Sequence, residues 1–138
     1  MKKHDDLEAL TAAKAVWDFT TGDERRFRDR LELALDAAQE FKQRDVAFDF
    51  VVLLHGAATQ FAARGLAGSK FGLTDLTAAQ ELMRRYCGAG GRIQVCRIEM
   101  QRCAITDDNV VGGVAIERNV YVSCIALQNR GYAYIPVF

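Results

Sequence analysis

A run of nine residues near the middle of the chain, 46–54 (VAFDFVVLL), most constrains the fold. Its second half is almost continuously apolar, and it ends at His55 and Gly56. A strand with one face in water alternates apolar and polar side chains, whereas a strand covered on both faces carries apolar residues at successive positions. The run therefore predicts a strand inside a sheet that has helices on both sides.

Strand-like and helix-like segments alternate along the rest of the chain, with a single proline near its end. The helix predicted after the first strand has an apolar stripe at three- and four-residue steps. The pattern predicts an α/β fold, a three-layer α/β/α sandwich with a mostly parallel five-stranded sheet. The predicted strands are 14–20, 46–54, 92–96, 114–116 and 132–137, and the predicted helices begin at Thr21, Ala57, Thr77, Arg97 and Glu117.

Local signals predict several boundaries of these elements. The sequences that start at Thr21 and Thr77 fit capping boxes, in which a threonine at the helix start is followed three residues later by Glu or Gln. Pro136 cannot donate to a strand ladder, so the last strand is expected to end at a sheet edge or beyond the pairing. The glycine-rich segment 65–72 is predicted to be a loop that forms a mobile flap over the crevice at the sheet edge.

Length and charge narrow the classes of function. With 138 residues, the chain is expected to form one domain at 14–138 after a polar lead-in at 1–13. Its 18 basic and 18 acidic side chains cancel, which argues against a nucleic-acid partner. The N-terminal residues have no apolar stretch typical of a signal peptide or a membrane span, so a cytoplasmic location without membrane association is the default expectation.

The four cysteines are Cys87, Cys96, Cys103 and Cys124. A disulfide framework is not expected in a reducing compartment, and the spacings of nine, seven and twenty-one residues match no common zinc pattern. We therefore expect no metal and no organic cofactor.

Cys96 is the strongest candidate for chemistry. It ends a predicted strand and precedes a predicted helix, and ligands in parallel α/β proteins bind at the carboxyl ends of the strands. Helix N-terminal N–H groups favour a thiolate over a thiol at such a junction. The sequence thus predicts a nucleophilic thiol here, and the alternative is a small buried hydrophobic residue.

Other residues are candidates for supporting roles. His55 ends the second strand, where it could stabilise a thiolate at Cys96 or simply close the strand. Cys103 lies about two helical turns beyond Cys96 and could act as a resolving thiol, although core packing is the alternative. The loop after the first strand could bind an anion or only cap a helix. Its residues are Thr20, Thr21, Gly22 and Asp23.

Four segments in this order resemble the DsrE/DsrF-like family of small sulfur-handling proteins. They are 19–23 (FTTGD), 54–56 (LHG), 93–96 (IQVC) and 127–135 (LQNRGYAYI). The resemblance covers roughly residues 14–138. It implies a compact α/β/α domain that assembles into homo-trimers or homo-hexamers.

The resemblance also implies a function. In the sulfur-relay members, a cysteine after the third strand carries sulfur as a persulfide and passes it to a partner protein, and Cys96 occupies the matching position. Those members continue with small residues and an Arg-Arg-Gly-like turn, whereas this chain continues with 97–104 (RIEMQRCA). We therefore expect a sulfur carrier rather than a turnover enzyme. The alternative is a non-catalytic oligomeric binding or assembly module of the same fold.

Overall fold

The computed structural model describes residues 5–65, 73 and 75–138. Five parallel strands form one sheet in the order β4-β3-β2-β1-β5. The strands are β1 (Ala12–Phe19), β2 (Ala47–Leu54), β3 (Arg92–Cys96), β4 (Val114–Glu117) and β5 (Ala133–Val137). The α-helices are α1 (Asp5–Glu8), α2 (Glu24–Gln43), α3 (Thr77–Gly88), α4 (Arg97–Arg102) and α5 (Val120–Asn129), and two 3-10 helices cover Gly56–Ala62 and Asp107–Asn109.

Strand β2 lies at the centre of the sheet, as its apolar run predicts. The residues from Phe50 to Leu54 are all buried, and β2 pairs with β1 on one side and with β3 on the other. Strand β5 is an edge strand that pairs with β1 alone. The predicted edge position of Pro136 is therefore confirmed.

The two faces of the sheet carry cores of different size, because alternate residues of each strand point to opposite sides. The larger core packs β1, β2 and β3 against α2 and α3, with Phe27 and Tyr86 fully buried in it. The smaller core lies under α5 and contains Val16, Val51, Leu53, Cys96, Val120, Cys124 and Leu127. The predicted three-layer arrangement follows from these two cores.

The first strand begins earlier than predicted. β1 starts at Ala12, and Ala13 is buried in the larger core, so the expected domain boundary after residue 13 falls inside a strand. Thr20 lies beyond the strand, because β1 ends at Phe19. The periodic signal is weak here because three of the first four residues of β1 are alanines.

Both predicted capping boxes are wrong. The residue that caps α2 is Asp23, whose Oδ1 accepts a hydrogen bond from the Arg26 N–H at 2.8 Å. Before α3, the Asp75 carboxylate accepts from the Thr77 N–H at 2.8 Å. Gln80 does not return to the helix start, since its Nε2 donates to backbone carbonyls of the 56–63 segment at 2.6 and 3.0 Å.

Two further helices differ from their predicted bounds. The short helix predicted at 57–64 is present as a 3-10 helix, Gly56–Ala62. The last helix begins at Val120 instead of Glu117, because Asn119 caps it by accepting from the Tyr121 N–H at 3.0 Å. Of the predicted loop at 65–72, only Gly65 belongs to the described residues, so the flap prediction lies outside them.

Within the described ranges, no helix combines the length and the apolar character that crossing a bilayer requires.

Candidate functional site

The carboxyl ends of β1, β2 and β3 meet at one edge of the sheet, because the three strands are parallel and adjacent. The residues in question are Asp18 near the end of β1, His55 directly after β2, and Cys96 at the end of β3. Ligands of open α/β sheets bind outside this edge. These three side chains, at the carboxyl edge of the sheet, form the candidate site.

Register places the three side chains on one face of the sheet. Asp18 pairs with Leu53, and Leu53 pairs with Gln94, two residues before Cys96. Residues two apart in a strand share a face, so Cys96 points to the same side as Asp18. This is the side that α5 covers.

His55 and Cys96 lie side by side. Leu54 pairs with Val95, so His55 and Cys96 are the next residues on two neighbouring strand ends. The His55 backbone is still extended, and its N–H donates to the Phe19 carbonyl at 3.3 Å, so the strand geometry continues through it. Neighbouring strands lie roughly 5 Å apart, so the two backbones are adjacent here, while the imidazole contacts Asp18 of β1 and the thiol donates to the Arg118 carbonyl after β4.

Cys96 occupies the predicted strand-to-helix junction, immediately before α4. The residue is buried, as in the alternative to a reactive thiol, since only 4% of it is accessible. The Sγ atom lies 3.8 Å from the Arg118 carbonyl oxygen, and Val120 and Cys124 of α5 pack in the same small core. The thiol is therefore covered by the start of α5 and the segment before it, rather than open to solvent.

A buried acid that the sequence reasoning missed partners His55. One Asp18 oxygen, Oδ1, contacts Nε2 of His55, and the other, Oδ2, accepts a hydrogen bond from the Tyr134 hydroxyl at 2.5 Å. Asp18 and His55 are only 7% and 6% exposed. The Tyr121 ring stands edge-on to the imidazole, with 5.1 Å between ring centroids.

The hydrogen bonds determine the charge of Asp18. Burial by itself raises the pKa of the carboxyl group, but the hydrogen bonds from His55 and Tyr134 and the charge interaction with His55 together outweigh it. The pKa of Asp18 is therefore below its ordinary value, so the carboxyl group is ionised at neutral pH. The bond to Asp18, followed by burial, raises the pKa of Tyr134 to about 12, so that hydroxyl stays protonated.

One sequence signal could have pointed to Asp18. It is an aspartate within an otherwise apolar stretch of β1, VWDF, where a buried charge requires partners. Those partners come from 37 and 116 residues away along the chain, and no local pattern connects them.

The other cysteines divide between the two cores. Cys103 packs in the larger core, on the opposite side of the sheet from Cys96, which agrees with its core-packing interpretation rather than with a resolving role. Cys124 instead shares the small core with Cys96, and burial raises the pKa of its thiol. Cys87 is half-buried beside the Gly113 carbonyl.

The loop after β1 uses its polar groups within the chain. The N–H groups of Thr20 and Thr21 donate to the Val137 carbonyl at 2.8 and 3.3 Å. The Thr21 hydroxyl accepts from the Asp23 N–H at 3.1 Å, and Asp23 caps α2. Gly22 lies between Thr21 and Asp23. The arrangement supports the capping interpretation of this loop over an anion site.

Neither a scan against protein-family models nor a search of the curated proteins gives a match to this chain. Solved structures do resemble it. MTH1491 from Methanobacterium thermoautotrophicum, a protein of unknown function, has a TM-score of 0.67 at 16% identity, over 90% of this chain and 98% of its own. The ychN protein from E. coli has a TM-score of 0.63 at 16% identity over the same shares.

A third neighbour has the same architecture. BT1422 from Bacteroides thetaiotaomicron, a conserved protein of unknown function, gives a TM-score of 0.59 at 13% identity, over 95% of this chain and 98% of its own. At these identities the likeness concerns the fold alone. The chain thus has the α/β fold of the YchN-like structures over nearly its whole length.

Proposed function

We propose that this chain is a DsrE-like sulfur-handling protein that carries a persulfide on Cys96 and passes the outer sulfur to a partner thiol. The observation that supports it best is the placement of Cys96 at the carboxyl end of β3, beside His55 at the end of β2. The fold shared with YchN-like structures and the four segments similar to DsrE/DsrF-like proteins add to this. In this proposal the protein is a carrier in the reducing cytoplasm, where its thiols stay reduced.

The covered position of Cys96 adds a requirement. A donor persulfide can reach Sγ only when the Arg118 carbonyl and the first turn of α5 move away from it. While α5 covers Cys96, thiols other than those of the donor and acceptor cannot reach a persulfide on its Sγ. The relay therefore includes an opening of α5, triggered by the donor or the acceptor.

Mass spectrometry after incubation with a low-molecular-weight persulfide donor tests the proposal. We expect one added sulfur on the Cys96 peptide of the unaltered protein and a clearly smaller total uptake in Cys96→Ala. Cys87→Ala is the matched control, because Cys87 is the more accessible thiol and would take up sulfur in an unspecific reaction. Equal uptake by Cys96→Ala and the unaltered protein would refute the relay.

A second candidate function, a non-catalytic oligomeric assembly module, is favoured by the composition of α5. Its inner side is buried, yet Tyr121, Val122 and Ile125 on its outer side are each 60 or 61% exposed. A helix that is apolar all round is typical of a buried position. We infer that a second copy of this chain covers the outer side, in a homo-trimer or homo-hexamer.

Light scattering coupled to gel filtration distinguishes the assembly states. The double variant Val122→Glu/Ile125→Glu is expected to elute as a monomer, because each carboxylate would have to be desolvated in the interface. Leu33→Glu is the control, since Leu33 is 53% exposed on α2, away from α5. If the double variant keeps the mass of the unaltered oligomer, assembly does not use α5. The relay is distinguished from a pure assembly module by the persulfide experiment.

A further inference from the structure

The Asp18–His55 contact determines which imidazole nitrogen carries hydrogen. Oδ1 of Asp18 faces Nε2, and a carboxylate can only accept hydrogen bonds. With Asp18 ionised, Nε2 must carry a hydrogen. In neutral His55 the lone pair is then on Nδ1.

Tyr134 holds the acid in place from the other side. Its hydroxyl donates to Oδ2 at 2.5 Å, so the two carboxylate oxygens have separate partners and the plane of the group is fixed. Tyr134 comes from edge strand β5 and His55 from the end of β2, on the two sides of β1. The three side chains therefore form a chain of hydrogen bonds across three adjacent strands.

The geometry points to Asp18 and Tyr134 as positioning residues for His55, which they hold with hydrogen on Nε2 so that Nδ1 accepts the proton of Cys96. This inference rests on the proposed sulfur relay. In histidine bases generally, a carboxylate bonded to one ring nitrogen orients the imidazole. The same carboxylate stabilises the imidazolium that forms when the other nitrogen takes a proton.

The transfer step balances with a persulfide donor as the only co-reactant. Once α5 and the Arg118 carbonyl have moved away, the Cys96 thiol turns from that carbonyl and its proton moves to Nδ1. The electron pair left on Sγ attacks the outer sulfur of the donor, R–S–SH. A new S–S bond forms at Cys96 while the S–S bond of the donor breaks. The donor leaves as a thiolate, which takes the proton back from His55 and departs as RSH.

One helix covers both reacting groups. Val120 and Cys124 of α5 pack with Cys96, and Tyr121, on the same helix, stands against the His55 ring. A displacement of α5 therefore uncovers thiol and imidazole together. Asp18 and Tyr134 lie on β1 and β5 and keep the ring in place while α5 moves.

Imidazole ¹⁵N spectra report the tautomer without any assay of sulfur transfer. The chain has two histidines, so in a His4→Gln background the only imidazole signals come from His55. We expect Nε2 to be protonated and Nδ1 to be unprotonated in the neutral ring. In Asp18→Asn the hydrogen is expected to distribute over both nitrogens.

Rates of persulfide loading on Cys96 give the second readout. Asp18→Asn should slow loading about 100-fold, the lower end of what a positioned base contributes. Tyr134→Phe should slow it less, and it keeps the test usable if Asp18→Asn folds poorly. The matched control is Asp49→Asn, since Asp49 accepts from Tyr132 and Arg92 on the same face, near the amino end of β2.

The outcomes separate the two claims. An altered tautomer and slow loading in Asp18→Asn, with Asp49→Asn unchanged in both, support the positioning role. An unaltered tautomer, or equal loss of rate in Asp49→Asn, overturns the positioning role while Cys96 still takes up sulfur. No persulfide on Cys96 of the unaltered protein overturns the proposed function itself, whatever the tautomer of His55.

Discussion

Removing the Tyr134 hydroxyl is expected to destabilise the protein at neutral pH and to destabilise it less in acid. The hydroxyl donates to the ionised Asp18 at 2.5 Å. A hydrogen bond to a charged group contributes about 1.5–3 kcal/mol to stability. Because Tyr134 is 44% exposed, water competes for the bond and we expect a loss at or below the bottom of this range, about 1–1.5 kcal/mol for Tyr134→Phe.

The pH dependence follows from the depressed pKa of Asp18. A carboxyl group whose pKa is lower in the folded protein contributes stability that is present above the unfolded value, about 3.9, and is lost as pH falls through the folded value. Once Asp18 is protonated, the bond from Tyr134 is neutral and roughly half as strong. The difference between Tyr134→Phe and the unaltered protein should therefore shrink below about pH 4.

Urea unfolding at constant ionic strength, from pH 7 down to pH 3, measures this difference. With a slope of about 1.5–2 kcal/mol per M, the midpoint of Tyr134→Phe should fall by about 0.5–1 M at pH 7. Tyr121→Phe is the matched control, because it removes a hydroxyl from a residue that is 60% exposed and should leave the midpoint unchanged. A loss that is the same at pH 7 and pH 3 would refute the charge-based explanation.

Two further predictions concern packing and access. Gly91→Ala should lower the unfolding free energy, measured by thermal melts, by about 1–3 kcal/mol, because its Cβ would lie 2.4 Å from the ring of the fully buried Tyr86. Gly88→Ala is the control, because no atom lies within 4 Å of its Cβ, and it should leave the unfolding free energy unchanged. In native protein a thiol reagent such as DTNB should modify the half-buried Cys87 well before Cys96. Equal rates at the two thiols would contradict the covering of Cys96 by α5.

The fold class was predictable because its signals are local. The apolar run before His55 identifies a strand covered on both faces, and the next strand ends at Cys96 as predicted. Such patterns depend on residues a few positions apart, which is the distance over which strand and helix periodicities act. The strand-to-helix junction at Cys96 was predictable for the same reason.

Helix starts were harder to predict, because several polar residues near each start can act as the cap. Thr21 and Asp23 both have suitable oxygens, and only the backbone angles around them decide which one faces the free N–H groups. The same competition applies to α5, which begins after the cap Asn119. Its start was predicted at Glu117, because an acidic residue is also suited to the first turn of a helix.

The sequence by itself determined a parallel α/β architecture and a cysteine at the carboxyl end of its third strand, because hydrophobic periodicity and the order of segments are read along the chain. Only the tertiary structure decided that this thiol is covered, that Cys103 lies on the other side of the sheet, and that Asp18 bonds to His55 and Tyr134. The physical reason is that burial and hydrogen bonding join side chains from strands distant in sequence. Their pairing depends on strand order and register, which no local pattern specifies.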